Sequence, residues 1–495
     1  MEVREINFEI RGRQVRPQKR GRLVQITNYQ KILILVFVLT LPLSNPWVRG
    51  DGVGYYAYVR SLLIEKHLDF EKDWEHGNES FVLGRLDSSG HVLASEYTST
   101  GHIANHWSVG PSMLWAPFLI VTHGAVLLAN RMGARVAADG FSTPYLIAMA
   151  VATSVYGFLG LWISFCLARK YFEERWAFLA TLGIWFATSL PVYMYFNPSW
   201  SHADSAFVMA LFLWYWDRTR GVRTVGQWIL LGVISGLMVD VYYVNAVALL
   251  IPLIESLGGY WSAWKENLRS AILSLLFGNI VFVAAILAAL LPTFITRKII
   301  FGHYLKLGYT ELWFWNSPAF FKVCFSAEHG LLSWTPIVIL SVAGLLFLRR
   351  RDAKLAFYLS AVFFVFLYLI GCYSNWAGLS SFGNRFFVSL TPVFVLGLAA
   401  LFDRFSHAWH DRRAVVIATG LTSVLIIWNL GLIYQWGTHL IPARGPISWR
   451  TAAYNQVAVV PEEATRTLKS YLTRRGKLMQ RIEEEDVKQL KSGNN

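Results

Sequence analysis

Apolar runs of about 15 to 25 residues, the length that spans a bilayer as a helix, recur from Lys31 to Tyr434. They cover 31–49, 112–129, 143–167, 177–196, 204–216, 226–257, 271–295, 334–348, 355–372, 386–402 and 413–434. No strand-like alternation competes with them, so the pattern predicts an all-α polytopic membrane protein. Short polar interludes separate the runs, and their charges set the direction of each crossing.

The most cationic interludes are the arm "MEVREINFEIRGRQVRPQKRGR", "ARKYFEERW" (168–176), "DRTRGVRT" (217–224), "LRRRDAK" (348–354) and "DRFSHAWHDRR" (403–413). Loops rich in Lys and Arg stay on the cytoplasmic side. An even number of crossings must then separate the arm (1–30) from 168–176, yet three apolar runs lie between them. The middle one, "SMLWAPFLIVTHGAVLLA", carries Pro117 and His123. It is read as a re-entrant or interfacial helix on the outer side, inside one long extracytoplasmic loop (50–142). The same parity makes 226–257 cross twice, turning near "VDVYYVN". About eleven transmembrane helices result, and the two arms of 226–257 are short, at about 23 Å for fifteen residues against a core of about 30 Å, as shallow or broken helices around a cavity would be. A transmembrane domain then covers 31–434, with a later outer loop at 296–333. The tail 435–495 is left outside as a charged, helix-prone surface segment with i,i+4 pairs.

Composition agrees: 55% of the 495 residues are hydrophobic and 15% charged, too little charge for a soluble chain of this size. The net charge of +14 is explained by topology, so no nucleic-acid partner is expected. Three scattered cysteines, Cys166, Cys324 and Cys372, have no metal-ligand spacing and give no disulfide framework. The expected location is a bacterial inner membrane, multi-pass, with the N-terminus cytoplasmic.

This topology gathers ionisable groups at the outer boundary, where they are costly and usually functional. The acidic and histidine candidates are Asp51, Glu96, His102, His106, His202, Asp204, Asp240, Glu328 and His329; the cations are Lys298, Lys306 and Arg385. Tyr55, Tyr56 and Trp376 add aromatic faces able to stack on sugars. Structural roles compete. Asp51 fits an N-cap for a helix beginning near Val53, and Asp204 fits a cap for 204–216. His123 fits a packed core histidine. Arg385 suits neither the dipole of the helix it opens nor the outer side, which favours a working role.

The order of these elements resembles the GT-C class of integral-membrane glycosyltransferases over roughly residues 31 to 402. The branch in question holds bacterial family-39 enzymes, protein O-mannosyltransferases and lipid A aminoarabinose transferases. The resemblance is carried by "GDGVGYYAYVRSLL" just beyond the first apolar run, "VGPSMLWAPF", "LARKYFEERWAFLATL", "SWSHADSAF" and "SNWAGLSSFGNRFFVSLTP". It implies transfer of a sugar from a polyprenyl-phosphate lipid to an acceptor hydroxyl of a protein, lipid or glycan, on the periplasmic face. It implies Asp51 as general base and Asp204 as an assisting acid, with Arg385, Lys298 or Lys306 neutralising the donor phosphate. If a divalent metal ion takes part, Asp51, Asp204 and His106 are its candidate ligands. In relatives a charged or His residue often precedes the proline of the short helix. Here "SVGPS" places Val109 and Gly110 there.

The chemistry leads the same way. An acceptor hydroxyl needs a carboxylate to take its proton, and the departing lipid phosphate needs a fixed cation. A single displacement without a covalent intermediate inverts the anomeric centre. Tyr55, Tyr56, His106, His202, Glu328, His329 and Trp376 are the candidate sugar-binding residues. A lipid-linked sugar flippase is the alternative, but it calls for ionisable groups at mid-membrane and for inverted repeats. Asp240 alone meets the first, and no repeat is found. An inactive scaffold would leave Asp51 replaceable.

Overall fold

The computed structural model describes residues 26–308 and 310–492, so most of the expected basic arm lies outside the described residues. Among those described there are helices and three isolated β-bridges but no sheet. The first helices are α1 (Asn28–Thr40), α2 (Asp51–Arg60), α3 (Gly110–Arg131), α4 (Thr143–Tyr171), α5 (Glu174–Phe186) and α6 (His202–Thr219). The run 226–257 is broken into α7 (Val225–Val241), a 3-10 turn (Tyr243–Leu249) and α8 (Leu250–Lys265). There follow α9 (Arg269–Ala289), α10 (Leu291–Phe301), α11 (Ile337–Leu348), α12 (Ala353–Cys372), α13 (Thr391–Ala408) and α14 (Asp411–Gly437). Seven described helical segments are long and apolar enough to cross a membrane, and three more are apolar but shorter.

Ion pairs show how the helices are directed. Lys170 meets Asp217 at 2.6 Å, Arg175 meets Asp411 at 2.6 Å, Arg220 meets Asp352 at 2.5 Å and Arg351 meets Asp403 at 3.0 Å. All four basic interludes of the described chain therefore lie at one end of the bundle. Thr27, which caps α1, donates to Glu174 at 2.7 Å and belongs to the same end.

The run at 112–129 is expected as a re-entrant or interfacial helix on the outer side. It is one continuous helix of 22 residues that accommodates Pro117, and it is long and apolar enough to cross. Its register nevertheless keeps it at the other end. Tyr156 donates to the Leu114 carbonyl at 3.0 Å, Trp115 donates to Thr153 at 2.9 Å, and His123 meets Tyr145 at 2.6 Å. This antiparallel pairing uses only the first half of α4, the half remote from Arg169 and Lys170.

Close helix crossings hold the bundle together, as expected where hydrocarbon outside gives no drive to bury apolar faces. Gly232 and Gly236 bring α7 so near α9 that an added Cβ would lie 2.6 Å from Ala285 and Ala289. In the buried centre, a Cβ on Gly397 of α13 would sit 2.0 Å from the Ser341 carbonyl of α11. Gly397→Ala is expected to force these helices apart at a cost of about 1–3 kcal/mol, read as a lower melting temperature in detergent. Gly420→Ala, which meets nothing within 4 Å, is the neutral control.

The tail is not one solvated helix. It forms α15 (Trp449–Ala458), α16 (Val460–Thr473) and α17 (Arg475–Ser492), which fold back over the end opposite the basic loops. Arg475 donates to the Ser44 and Pro42 carbonyls at 2.6 Å each, and Tyr471 donates to Leu43 at 2.7 Å.

Candidate active site

A cavity of about 380 Å³ opens at this end. Its walls come from the turn before α2, the turns around Trp107 and Trp200, the 378–385 loop, the end of α14, and α16 and α17. Asp51 is the first residue of α2 and follows Gly50, whose φ of +53° is a conformation glycine adopts readily. Its carboxylate does not act as an N-cap, since the capping residue is Gly50. Instead Asp51 Oδ2 lies 3.0 Å from Arg385 Nη2. The Asp51 side chain keeps 33% exposure, against 9% for Arg385.

Arg385 is held from below. Its guanidinium lies 4.3 Å over the Trp200 ring, a favourable place for a cation. The Trp200 indole donates to the Arg49 carbonyl at 2.9 Å, which ties this platform to the chain just before Asp51. His202 packs beneath it, in ring contact with Tyr193, Trp200, Tyr242 and Phe386. Arg385 Nε is buried and has no hydrogen-bond partner among the described residues. Gly378, with φ +75°, sits against that nitrogen, and a Cβ added there would lie 3.1 Å from it. The guanidinium thus retains donor capacity beside a half-open carboxylate.

Tyr55 is buried one turn along α2 and accepts from Ser201 at 3.1 Å; burial and the Asp51 charge push its phenol up. His106 stacks on Trp107 at 3.9 Å, and burial holds its imidazole down to about 4. It is therefore neutral at pH 7, and it packs behind Trp107 without lining the cavity. His329 is likewise held down to about 4 by burial, and it meets the Ala377 carbonyl at 2.9 Å, bracing the 378–385 loop. Trp376 braces the same loop through its carbonyl, which accepts from Asn384 at 3.2 Å.

The other candidates lie elsewhere. Asp204 is fully buried in the first turn of α6 on the side of Trp115 and Tyr156, without a face on the cavity. Tyr56 donates to Gly140 at 2.7 Å, away from the cavity. Lys298 closes α10 by donating to Gly302 at 2.9 Å, and Lys306 lies over Phe301. Neither lysine lines the cavity, nor does Glu328. Among the described residues no group of three or more His, Cys, Asp or Glu side chains could hold a metal ion. Asp51, Asp204 and His106 do not fit a shared ion, and no step proposed below passes through one.

Two features escaped the sequence. Arg49, Arg85 and Arg444 also line the cavity. Arg297, fully buried, donates to the carbonyls of Asn105 (2.5 Å), His106 (3.0 Å) and Trp107 (2.7 Å). It fixes the turn that carries Trp107 into the cavity wall. Arg297→Met should remove at least about 2 kcal/mol of anchoring, given the worth of hydrogen bonds to charged groups. Limited proteolysis is expected to report it as faster cleavage between residues 85 and 108.

No protein-family model matches the chain, and no curated protein does. Among solved structures the chain is similar to the crystal structure of ArnT from Cupriavidus metallidurans in the apo state, at 12% identity and TM-score 0.43, over 82% of this chain and 70% of that one. It is similar also to the same protein bound to undecaprenyl phosphate, at 14% identity and TM-score 0.44, over the same shares.

Proposed function

We propose that this chain is an inverting glycosyltransferase that takes a sugar from a polyprenyl-phosphate donor and passes it to an acceptor hydroxyl on the extracytoplasmic face of a bacterial inner membrane. The observation that carries this reading is the Asp51–Arg385 pair at 3.0 Å, set in a cavity at the end of the bundle remote from the basic loops.

In the proposed step the donor phosphate engages Arg385 and draws the guanidinium from Asp51. The Asp51 carboxylate then faces the acceptor hydroxyl and takes its proton as the oxygen attacks the anomeric carbon. The bond from that carbon to the phosphate oxygen breaks, its electron pair stays on the phosphate, and Arg385 stabilises the charge. Trp107 and Trp200 contribute to the cavity wall beside this pair. Asp204, Lys298 and Lys306 take no part in this step.

The test incubates the purified chain in proteoliposomes with a panel of radiolabelled polyprenyl-phosphate sugars and a membrane extract as acceptor. Transfer with inverted anomeric configuration supports the reading. Absence of transfer from every lipid donor, in protein that is folded and inserted, rejects it.

A further inference from the structure

The cavity is chemically one-sided. On one side stand two cations of the 378–385 loop and its surroundings, Arg385 and Arg444. Arg385 keeps an unused donor. Arg444 is anchored by Ser380 and makes no ion pair among the described residues. The wall formed by α14, α16 and α17 is mainly apolar, with Leu430, Ile433, Leu468, Tyr471, Leu478 and Ile482 on the space beside the polar Thr467, Asp486 and Gln489.

Polar fasteners join the burial of Ala452, Tyr471 and Leu478 in holding the C-terminal helices in place. Asp486 pairs with Arg49 and meets His439 at 2.9 Å. Glu483 accepts from Asn78 at 2.7 Å and from the Ser80 amide at 2.6 Å. With charge supplying part of the attachment, the apolar side chains of α16 and α17 are left to line the cavity.

That wall continues into a face of the bundle that is left exposed among the described residues. On α14, Val424, Ile427 and Leu430 are 64%, 66% and 42% exposed. The spacing puts them on one face of a helix long and apolar enough to span a bilayer. Leu430 belongs both to this stripe and to the cavity lining. Tyr471 reaches Leu43 at the end of α1, where another apolar segment stops. The apolar side of the cavity thus lies where two apolar helices end and opens toward hydrocarbon.

An anionic head with one long apolar chain complements both halves. We propose that the wall of α14, α16 and α17 receives the first isoprene units of the lipid-phosphate donor, so that the C-terminal helices belong to the donor site. This rests on the glycosyltransferase reading and adds to it where the lipid chain runs.

The test uses the full chain in nanodiscs and three probes: undecaprenyl phosphate, the short geranyl phosphate, and inorganic phosphate, which has no chain. Leu468→Trp and Ile482→Trp, which fill the slot, should each raise the dissociation constant for undecaprenyl phosphate about tenfold, equivalent to losing burial of roughly two methylenes. Geranyl phosphate, which carries only those first isoprene units, should lose a comparable factor, whereas inorganic phosphate, held by Arg385 and its surroundings alone, should change less than twofold. In the wild-type chain, an undecaprenyl phosphate carrying a photoreactive group on its first isoprene units should label peptides within 424–437 and 464–490. Labelling confined to other segments, or tryptophan variants that bind the long lipid normally, overturns the inference while the wild-type affinity upholds the enzyme reading. A wild-type chain that binds neither lipid overturns both.

Discussion

Asp51→Asn is expected to reduce sugar transfer by about 10²–10⁴-fold, the usual worth of a positioned general base, with folding and membrane insertion unchanged. Asparagine keeps the size of the side chain and an oxygen able to accept from Arg385, so the 3.0 Å contact has a neutral substitute. It cannot take a proton from a hydroxyl. The side chain is a third exposed and opens a helix whose cap is Gly50, so its loss removes no cap and leaves no buried cavity. Single-turnover transfer, alongside size-exclusion elution and melting temperature, separates the two effects. Full activity in a folded Asp51→Asn chain would end the general-base role.

Arg385→Ala is expected to weaken binding of undecaprenyl phosphate about 10- to 100-fold, the worth of hydrogen bonds to a charged group. Here the geometry makes a structural cost unavoidable as well. The guanidinium lies over Trp200 and is nearly buried, so alanine leaves a hole above the indole and a carboxylate without its partner. Arg385→Lys keeps the charge but loses the planar fork. It should recover part of the affinity, which a merely lost packing contact would not. An unchanged affinity in folded Arg385→Ala would remove this residue from the donor site.

Much of this arrangement could be read in the chain because its physics is local. Asp51 stands between two glycines at the end of an apolar run, and Arg385 opens a helix where neither dipole nor topology welcomes a cation. Both signals survive without knowledge of the packing. Asp204 shows the limit. Its distance along the chain from the apolar boundary resembles that of a site residue, but the phase of α6 turns it toward Trp115 and Tyr156 rather than the cavity. Lys298 and Lys306 were drawn in by charge and position. Yet the neighbouring Arg297 is the cation that turns inward, sharing with Thr293, Ile300 and Phe301 the buried face of α10.

The C-terminal helices were hidden by their charges. Glu, Lys and Arg dominate 462–491, and that composition reads as a solvated surface. The spacings of Leu468 with Tyr471 on α16, and of Leu478 with Ile482 on α17, still mark an apolar side on each helix. What no local pattern could show is that Asp486 and Glu483 would fasten this side over Arg49 and Asn78, more than four hundred residues earlier. Likewise, the length of α3 alone favours a crossing, and only its pairing with the first half of α4 keeps it at the site end.

The central claim is that Arg385 holds the phosphate of a lipid-linked donor beside Asp51. A cryo-electron microscopy map of the chain in nanodiscs with undecaprenyl phosphate tests it most directly. The account predicts phosphate density within hydrogen-bonding distance of the Arg385 guanidinium, with the Asp51 carboxylate released toward the open cavity. Phosphate density on the Lys298 and Lys306 face, with the Asp51–Arg385 pair intact and the cavity empty, would contradict it.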